Sequence, residues 1–528
     1  YLYHQDVVKA IKNNPIFLVL VGGLVLLIII GAILYKYVAK WKKPLTYSLT
    51  RLAVPAVFLA IGWFFILKYK SDYFLQTRPA DVAFLDFDYY GGESSKGDQV
   101  SPERGNELLV KYNDLSIGLD AEYPLFQHHD SQDTLQRRPD VIFLMIESLR
   151  GKELGIGNAK DPAFTPTIDS LAQQGVVFPK FVSNGYPTDD GMFATHTSVI
   201  PHSIKKNIRD HFETTYTAIP NIMKDQGYYN LGNWSGRPSF YMGKWFEKWY
   251  GEFHYQCDSV EGYSTFGEGG DCGDSEFFRH SADQIRAYDE SGNDQPLFFY
   301  LQNNDTHYPF RPDKNRFGSE EQLKEYQAFT ERHKALGLLY RETLEWTDLK
   351  LKQFLEFLKT RENADNTIIV MVGDHAKEAD EVFKAGTRFY PMNAFVLTTA
   401  IISGPESYIG KPRVESFPTS QVDVLPSIIS MLDFETDYAS WGRSMLDPAD
   451  DRYSISVRPG GIRYNWGDSS LYINSNNPND YWANQFYDES NERNDFRSES
   501  LKRKAKEVFE LVHYGSYLTE SDHLTPNK

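Results

Sequence analysis

Four side chains far apart in the sequence have the types that hold a divalent cation: Glu147, Thr188, Asp374 and His375. Two carboxylates, a hydroxyl and an imidazole make a mixed oxygen and nitrogen set. Mn²⁺, Zn²⁺ and Mg²⁺ all accept such ligands, and the imidazole argues against Ca²⁺. A cation on the Thr188 oxygen would lower the pKa of the hydroxyl and make it a nucleophile. It would also draw charge from phosphoryl oxygens in a transition state. Thr188 lies in Asn184-Gly185-Tyr186-Pro187-Thr188-Asp189-Asp190-Gly191-Met192-Phe193. Gly185 and Pro187 are turn residues, and the residues after Asp190 read as a helix with Met192, Phe193 and Val199 available to pack. A hydroxyl at a helix N-terminus faces free backbone N–H groups, where phosphate or sulfate binds well. Each residue also has an ordinary reading: Thr188 as a helix cap, Glu147 as the cap of a turn, Asp374-His375 as a solvated loop. What joins the four is a shared place at strand ends.

The elements that must position them follow from apolar runs. Residues 141–146, Val-Ile-Phe-Leu-Met-Ile, read as a strand buried on both faces and end in Glu147-Ser148. Similar runs recur at 228–233, 297–301, 367–372 and 395–402, and helical stretches fall between them, notably 320–359 and 421–432. Pro166 opens a further helix that Gly175 stops. Strands alternating with helices predict an α/β sandwich around a mostly parallel sheet. Ligands bind beyond the carboxyl ends of such strands, where Glu147 and Asp374-His375 fall. The catalytic domain is expected over 139–447. Beyond it, 448–528 reads as a small C-terminal subdomain, with antiparallel strands at 453–458, 461–466 and 470–473 and a charged helix over 498–513.

The N-terminal part is of another kind. Residues 16–38 are almost wholly apolar, and 45–67 are so apart from Arg51 and Pro55. Each is long enough to cross a bilayer, so 1–70 is expected to be a transmembrane region with two helices. Lys36, Lys40, Lys42, Lys43 and Arg51 crowd the connection, which the positive-inside rule puts in the cytoplasm and the body outside. Residues 71–138 read as a polar connector with a few helical turns. Net charge is −17 over 528 residues; residues 1–70 carry nine Lys/Arg and one Asp, a net of +8, which leaves −25 for the remainder. A basic membrane end on an acidic body excludes nucleic acid as the expected partner. The two cysteines, Cys257 and Cys272, sit in a Gly/Asp-rich loop. A disulfide agrees with the outside location, and two free thiols are the alternative.

Pro139-Asp140-Val141-Ile142-Phe143-Leu144-Met145-Ile146-Glu147-Ser148 resembles the opening strand of the sulfatase-like branch of the alkaline phosphatase superfamily. Thr165-Pro166-Thr167-Ile168-Asp169-Ser170-Leu171-Ala172 is similar to its next segment. Val372-Gly373-Asp374-His375 is similar to its metal-binding turn. Val422-Asp423-Val424-Leu425-Pro426 resembles its late helix, and Gly442-Arg443-Ser444 the turn after it. Within the superfamily the chain most resembles lipoteichoic acid synthases and related phosphoglycerol or phosphoethanolamine transferases, which join membrane helices to an extracytoplasmic catalytic domain.

The resemblance implies that Glu147, Thr188, Asp374 and His375 bind one divalent metal, with Mn²⁺ first among the three. It implies that Thr188 takes up the transferred phospho-group. Thr188 stands where sulfatases carry a Cys or Ser converted to formylglycine, and neither cysteine lies in a Cys-x-Pro-x-Arg context. His307, in Asp305-Thr306-His307-Tyr308-Pro309-Phe310, matches the family's active-site His and would contact the phosphoryl group or protonate the leaving oxygen. The family's substrate-holding His and Arg have no counterparts here. Those positions fall near Trp234 and Gly243, and Arg237 or Lys244 could replace the lost phosphate contact. His196 and His202 match nothing in the family and read as structural. The expected function is therefore transfer of a phospholipid headgroup, through a Thr-linked intermediate, to a glycan or polymer acceptor at the cell membrane. The alternatives are a phosphodiesterase, phosphatase or sulfatase-like hydrolase on the same site, and a catalytically idle structural subunit of a membrane assembly.

Overall fold

The computed structural model describes residues 100–526, apart from 114–119, 121, 133–136, 157–164, 204, 206, 237–239, 252, 256–272, 308–323, 325–338, 377–395, 448, 450, 459 and 487–497. All described residues lie within the unit Val82–Lys528. The spans expected at 16–38 and 45–67, both cysteines and Arg237 lie outside the described residues. Among the described residues no helix is long and apolar enough to cross a membrane.

In chain order the strands are β1 (Phe126–His129), β2 (Asp140–Ile146), β3 (Gly175–Phe178), β4 (Phe181–Val182), β5 (Tyr229–Trp234), β6 (Phe253–Tyr255), β7 (Leu297–Gln302) and β8 (Thr367–Gly373). They continue with β9 (Ala400–Ser403), β10 (Arg413–Val414), β11 (Thr419–Ser420), β12 (Thr436–Ala439), β13 (Tyr453–Arg458), β14 (Gly461–Trp466), β15 (Ser469–Asn474) and β16 (Asn477–Gln485). The central sheet runs β10-β3-β9-β8-β2-β7-β5-β6. Its pairings are parallel except the two made by β9. Every residue of β2 and β7 is buried, as strands covered on both faces require.

The alternation along β2 divides the core. Ile142, Leu144 and Ile146 pack with Ile168 of helix α1 (Pro166–Gln173), Phe277 of α4 (Asp274–Glu290) and Leu351 of α5 (Leu339–Leu358). Val141, Phe143 and Met145 face Phe193 of α2 (Thr188–Thr197), Phe246 of α3 (Phe240–Tyr250) and Leu425 of α6 (Val424–Met431). The fold is thus an α/β sandwich with a mostly parallel sheet.

β13 to β16 form a separate antiparallel sheet whose Ile455, Val457 and Ile462 join the second of these clusters. β16 was not legible as a strand: Asn477-Pro478-Asn479-Asp480 carries turn and polar residues, and pairing with β15 supplies what propensity lacks. The last helix, α7 (Glu499–Glu520), runs beyond the expected end at 513, because Tyr514 and Leu518 continue its buried stripe. The helix of the connector, Pro102–Asn113, lies against it through Arg104 to Glu510 at 3.0 Å and Lys111 to Glu507 at 2.7 Å.

α2 is buried from Asp190 to Thr197, so even its polar side chains need internal partners. His196 finds two. Its Nδ1 donates to the Met192 carbonyl at 2.9 Å, and its Nε2 accepts the Tyr250 hydroxyl at 2.8 Å. Its ring stacks on Trp249 with centroids 5.3 Å apart. Burial pushes its pKa down to about 4. The unfolded chain protonates this residue near 6.5 and the folded one near 4, so stability is lost as pH falls through that window, by about 3 kcal/mol at its lower end. Urea denaturation at pH 7 and pH 4.5 is expected to show a clearly smaller pH-dependent loss in His196→Gln than in the natural protein.

Candidate active site

β2 and β8 are parallel neighbours paired Ile146 to Gly373, so the next residues, Glu147 and Asp374, emerge side by side at the carboxyl edge of the sheet. Thr188 reaches them from across the chain. It is the first residue of α2; the cap position belongs to Pro187, which leaves the Thr188 side chain free for another partner. Thr188 Oγ1 lies 3.3 Å from Glu147 Oε2 and 3.3 Å from His375 Nε2. His375 Nε2 is 3.5 Å from Asp374 Oδ2 and 3.7 Å from Glu147 Oε1. Glu147, Asp374 and His375 are buried, and Thr188 is half-buried at their outer side.

The backbone around these groups is held tightly. The N–H groups of Ser148 and His375 both donate to Asp374 Oδ1 at 2.7 Å. Ser148 Oγ donates to Glu147 Oε1 at 2.8 Å, and Ser148 adopts a φ of 53°, a left-handed conformation uncommon outside glycine. The Tyr340 hydroxyl sustains it by donating to the Ser148 carbonyl at 2.7 Å and accepting the Arg150 N–H at 3.0 Å. Glu147 N–H donates to Asn303 Oδ1 at 2.9 Å, and Thr306 Oγ1 donates to the Glu147 carbonyl at 2.6 Å. Asn303 Nδ2 in turn donates to Asp274 Oδ2 at 2.9 Å, which also accepts Thr347 Oγ1 at 2.5 Å. His375 Nδ1 faces the Ala376 carbonyl at 3.1 Å. A carbonyl only accepts, so the ring proton sits on Nδ1 and the Nε2 lone pair turns toward Thr188. The Tyr186 ring packs edge-on against the imidazole, with centroids 4.8 Å apart.

These groups suit a divalent cation. Burial, and then the Asp374 carboxylate, push the Glu147 carboxyl well above the usual carboxylate range. Among the described residues no Lys or Arg pairs with either acid, and Asp374 Oδ2 is buried without a hydrogen-bond partner. Two adjacent buried carboxylates without a side-chain cation repel, and a shared metal ion removes the penalty. Glu147, Asp374 and His375 offer ligand atoms within 4.8 Å of one another.

A second group, His202, His211 and Glu520, also brings ligand atoms together. There Lys205 N–H donates to His202 Nδ1 at 3.0 Å, so the proton is on Nε2, which donates to Glu520 at 3.2 Å. Lys205 Nζ bonds the same carboxylate. That arrangement is an ion-paired cluster, with the His202 donor turned to the acid.

The other expected residues are more dispersed. His307 follows Thr306 in the loop after β7, and its side chain is exposed. Trp234 ends β5, two strands from β2, and is buried against Phe246. Lys244 lies on the exposed face of α3, paired with Glu247 at 2.6 Å. Asn303, Asp274 and Tyr340 escaped sequence reasoning. Only Asn303 left a signal there, as a polar residue directly after the 297–302 strand.

The family model described as Sulfatase matches residues 139–434, more than half of the chain. A lipoteichoic acid synthase of Staphylococcus saprophyticus is 24% identical over 290 residues, which cover 50% of this chain and 40% of that protein. An N-acetylgalactosamine-6-sulfatase of Mus musculus is 24% identical over 132 residues, 21% of this chain and 25% of that protein. The chain thus spans less than half the length of these relatives. Among solved structures, a protein of the alkaline phosphatase superfamily from Vibrio parahaemolyticus superposes with a TM-score of 0.64 at 16% identity, over 81% of this chain and 98% of that one. The lipoteichoic acid synthase LtaP of Listeria monocytogenes does so with a TM-score of 0.57 at 17% identity, over 78% and 98%. The fold is therefore the alkaline-phosphatase-like α/β fold.

If Asn303 holds Glu147 as the hydrogen bonds indicate, Asn303→Leu will leave a buried N–H without its acceptor and loosen that ligand. Mn²⁺ affinity measured by calorimetry is expected to fall about 10-fold or more.

Proposed function

The chain belongs to the sulfatase family, and from that premise we propose that it is a membrane-anchored, metal-dependent transferase of phospholipid headgroups of the phosphoglycerol or phosphoethanolamine type. The observation that carries the reading is the Thr188 hydroxyl, 3.3 Å from both a carboxylate and an imidazole of a buried, cation-type cluster. The match to a lipoteichoic acid synthase supports it, as do the two apolar spans expected from the sequence at 16–38 and 45–67, which would suit a lipid donor and a catalytic body outside the cytoplasm.

Glu147, Asp374, His375 and Thr188 would hold the metal, Mn²⁺ before Zn²⁺ or Mg²⁺. When bound, such an ion lowers the pKa of a ligating hydroxyl and offsets charge on phosphoryl oxygens. Thr188 Oγ1 attacks phosphorus, the phosphorus–oxygen bond to diacylglycerol breaks, and a phospho-threonine ester forms. The hydroxyl proton passes to Glu147 Oε2, 3.3 Å away, because the single lone pair of His375, on Nε2, would be taken by the metal. His307, exposed in the loop after β7, would protonate the departing diacylglycerol oxygen. A hydroxyl of a glycan or polymer then attacks the ester, and Thr188 leaves with its proton restored. Arg237 and Lys244 are assigned to the substrate side, with Lys244 first needing release from Glu247, whereas Trp234 packs in the core against Phe246. A hydrolase, with water as the acceptor, is the second reading, favoured by the match to the mouse sulfatase.

Mass spectrometry of the Thr188 peptide tests the proposal. The protein is loaded with Mn²⁺ and mixed with vesicles containing phosphatidylglycerol or phosphatidylethanolamine. A headgroup-phosphate adduct on Thr188 is expected with one of the two lipids, and none in Thr188→Ala, whose thermal unfolding should match the natural protein. Adduct that turns over only to free headgroup phosphate, with a sugar acceptor present, would support the hydrolase. Turnover by Thr188→Ala would refute both.

A further inference from the structure

Gln421 lies in the turn before α6 with no exposed surface. A carboxamide has two donors and an acceptor oxygen with two lone pairs, and here all four are used. Nε2 donates to the carbonyl of Gly373 at 3.0 Å and to that of Asp374 at 2.6 Å. Oε1 accepts the N–H of Asn184 at 2.9 Å and the hydroxyl of Ser183 at 3.1 Å. The two carbonyls belong to the turn that carries Asp374 and His375. The two donors belong to the loop that runs through Gly185 and Pro187 to Thr188. One side chain therefore ties the metal-ligand turn to the nucleophile loop.

A second contact sets the other limit of that spacing. α2 passes the same turn so closely that a Cβ built on Gly191 would fall 2.0 Å from the Asp374 carbonyl oxygen and 3.1 Å from Gln421 Nε2. Gly191 lets the helix approach, and Gln421 keeps it from receding. We propose that Gln421 is a positioning residue that sets the distance between the Thr188 hydroxyl and the Asp374-His375 turn, acting through the backbone of both. The inference rests on the reading of Thr188 as the nucleophile.

The buried acids also have holds that do not pass through Gln421. Glu147 is held by Asn303 and Thr306. Asp374 keeps the N–H groups of Ser148 and His375. Loss of the amide should therefore leave the two acids and the imidazole together and shift only the neutral Thr188 hydroxyl, the weakest of the four ligands, so turnover should fall far more than metal affinity.

The test compares the natural protein with Gln421→Met, which conserves length and removes every hydrogen bond, and Gln421→Glu, which keeps the acceptor and removes both donors. Mn²⁺ affinity is measured by calorimetry, and the rate of Thr188 adduct formation from lipid vesicles is measured per folded molecule. We expect the maximal rate to fall at least 30-fold in both variants, with the lipid concentration at half-maximal rate within 2-fold and the Mn²⁺ dissociation constant within 3-fold. A role in stability alone would leave the rate per folded molecule unchanged, and that result overturns the proposal. A Mn²⁺ affinity that falls in step with the rate overturns it too. If Gln421→Met does not fold, Gln421→Glu decides alone: a natural rate there refutes the donor role. Absence of adduct in the natural protein would instead defeat the nucleophile reading beneath the proposal.

Discussion

Two carboxylates are forced together where the fold can least tolerate them. The parallel register of β2 against β8 sets Glu147 beside Asp374, both buried, and among the described residues neither has a Lys or Arg partner. An arrangement of this kind costs free energy in the absence of a compensating charge. The surrounding structure is arranged to maintain it. The left-handed Ser148, the Tyr340 hydroxyl that bridges the turn and the Asn303–Asp274–Thr347 chain all hold the backbone of these acids from outside the cluster. A cation would offset this cost, and the same charge would bear on the Thr188 hydroxyl 3.3 Å from Glu147.

The hydroxyl is delivered by a helix that has almost no free surface. α2 is enclosed from Asp190 onward, and His196 spends both ring nitrogens on internal partners to remain there. Such a helix is a rigid support, and Gly191 allows it to lie directly on the Asp374 turn. Rigid support for the groups and a half-buried Thr188 at their outer side would let a substrate approach from solvent while the acids stay buried.

Much of this was legible in the sequence for physical reasons. Residues 141–146 and 297–301 are continuous apolar runs because their strands are buried on both faces, and the acids and imidazole of the site stand out because each follows such a run directly. What escaped was set by tertiary contact. Asn477-Pro478-Asn479-Asp480 begins a strand only because β15 lies beside it. Of the run expected at 395–402, Val396 to Thr399 lie outside regular strand, which begins at Ala400. The ordinary capping reading of Thr188 yields only when coordinates put Pro187 at the cap and Glu147 beside the hydroxyl. Trp234 shows the reverse case: an aromatic-rich segment reads equally as a ligand wall or a core, and the chain places this ring in the core.

The central claim is that one ion joins side chains from four places in the chain. Anomalous diffraction at the manganese edge from crystals soaked in Mn²⁺ tests it most directly. The account predicts a peak about 2 Å from atoms of Glu147, Asp374, His375 and Thr188. A map with no peak there, or with its only peak among His202, His211 and Glu520, would contradict it.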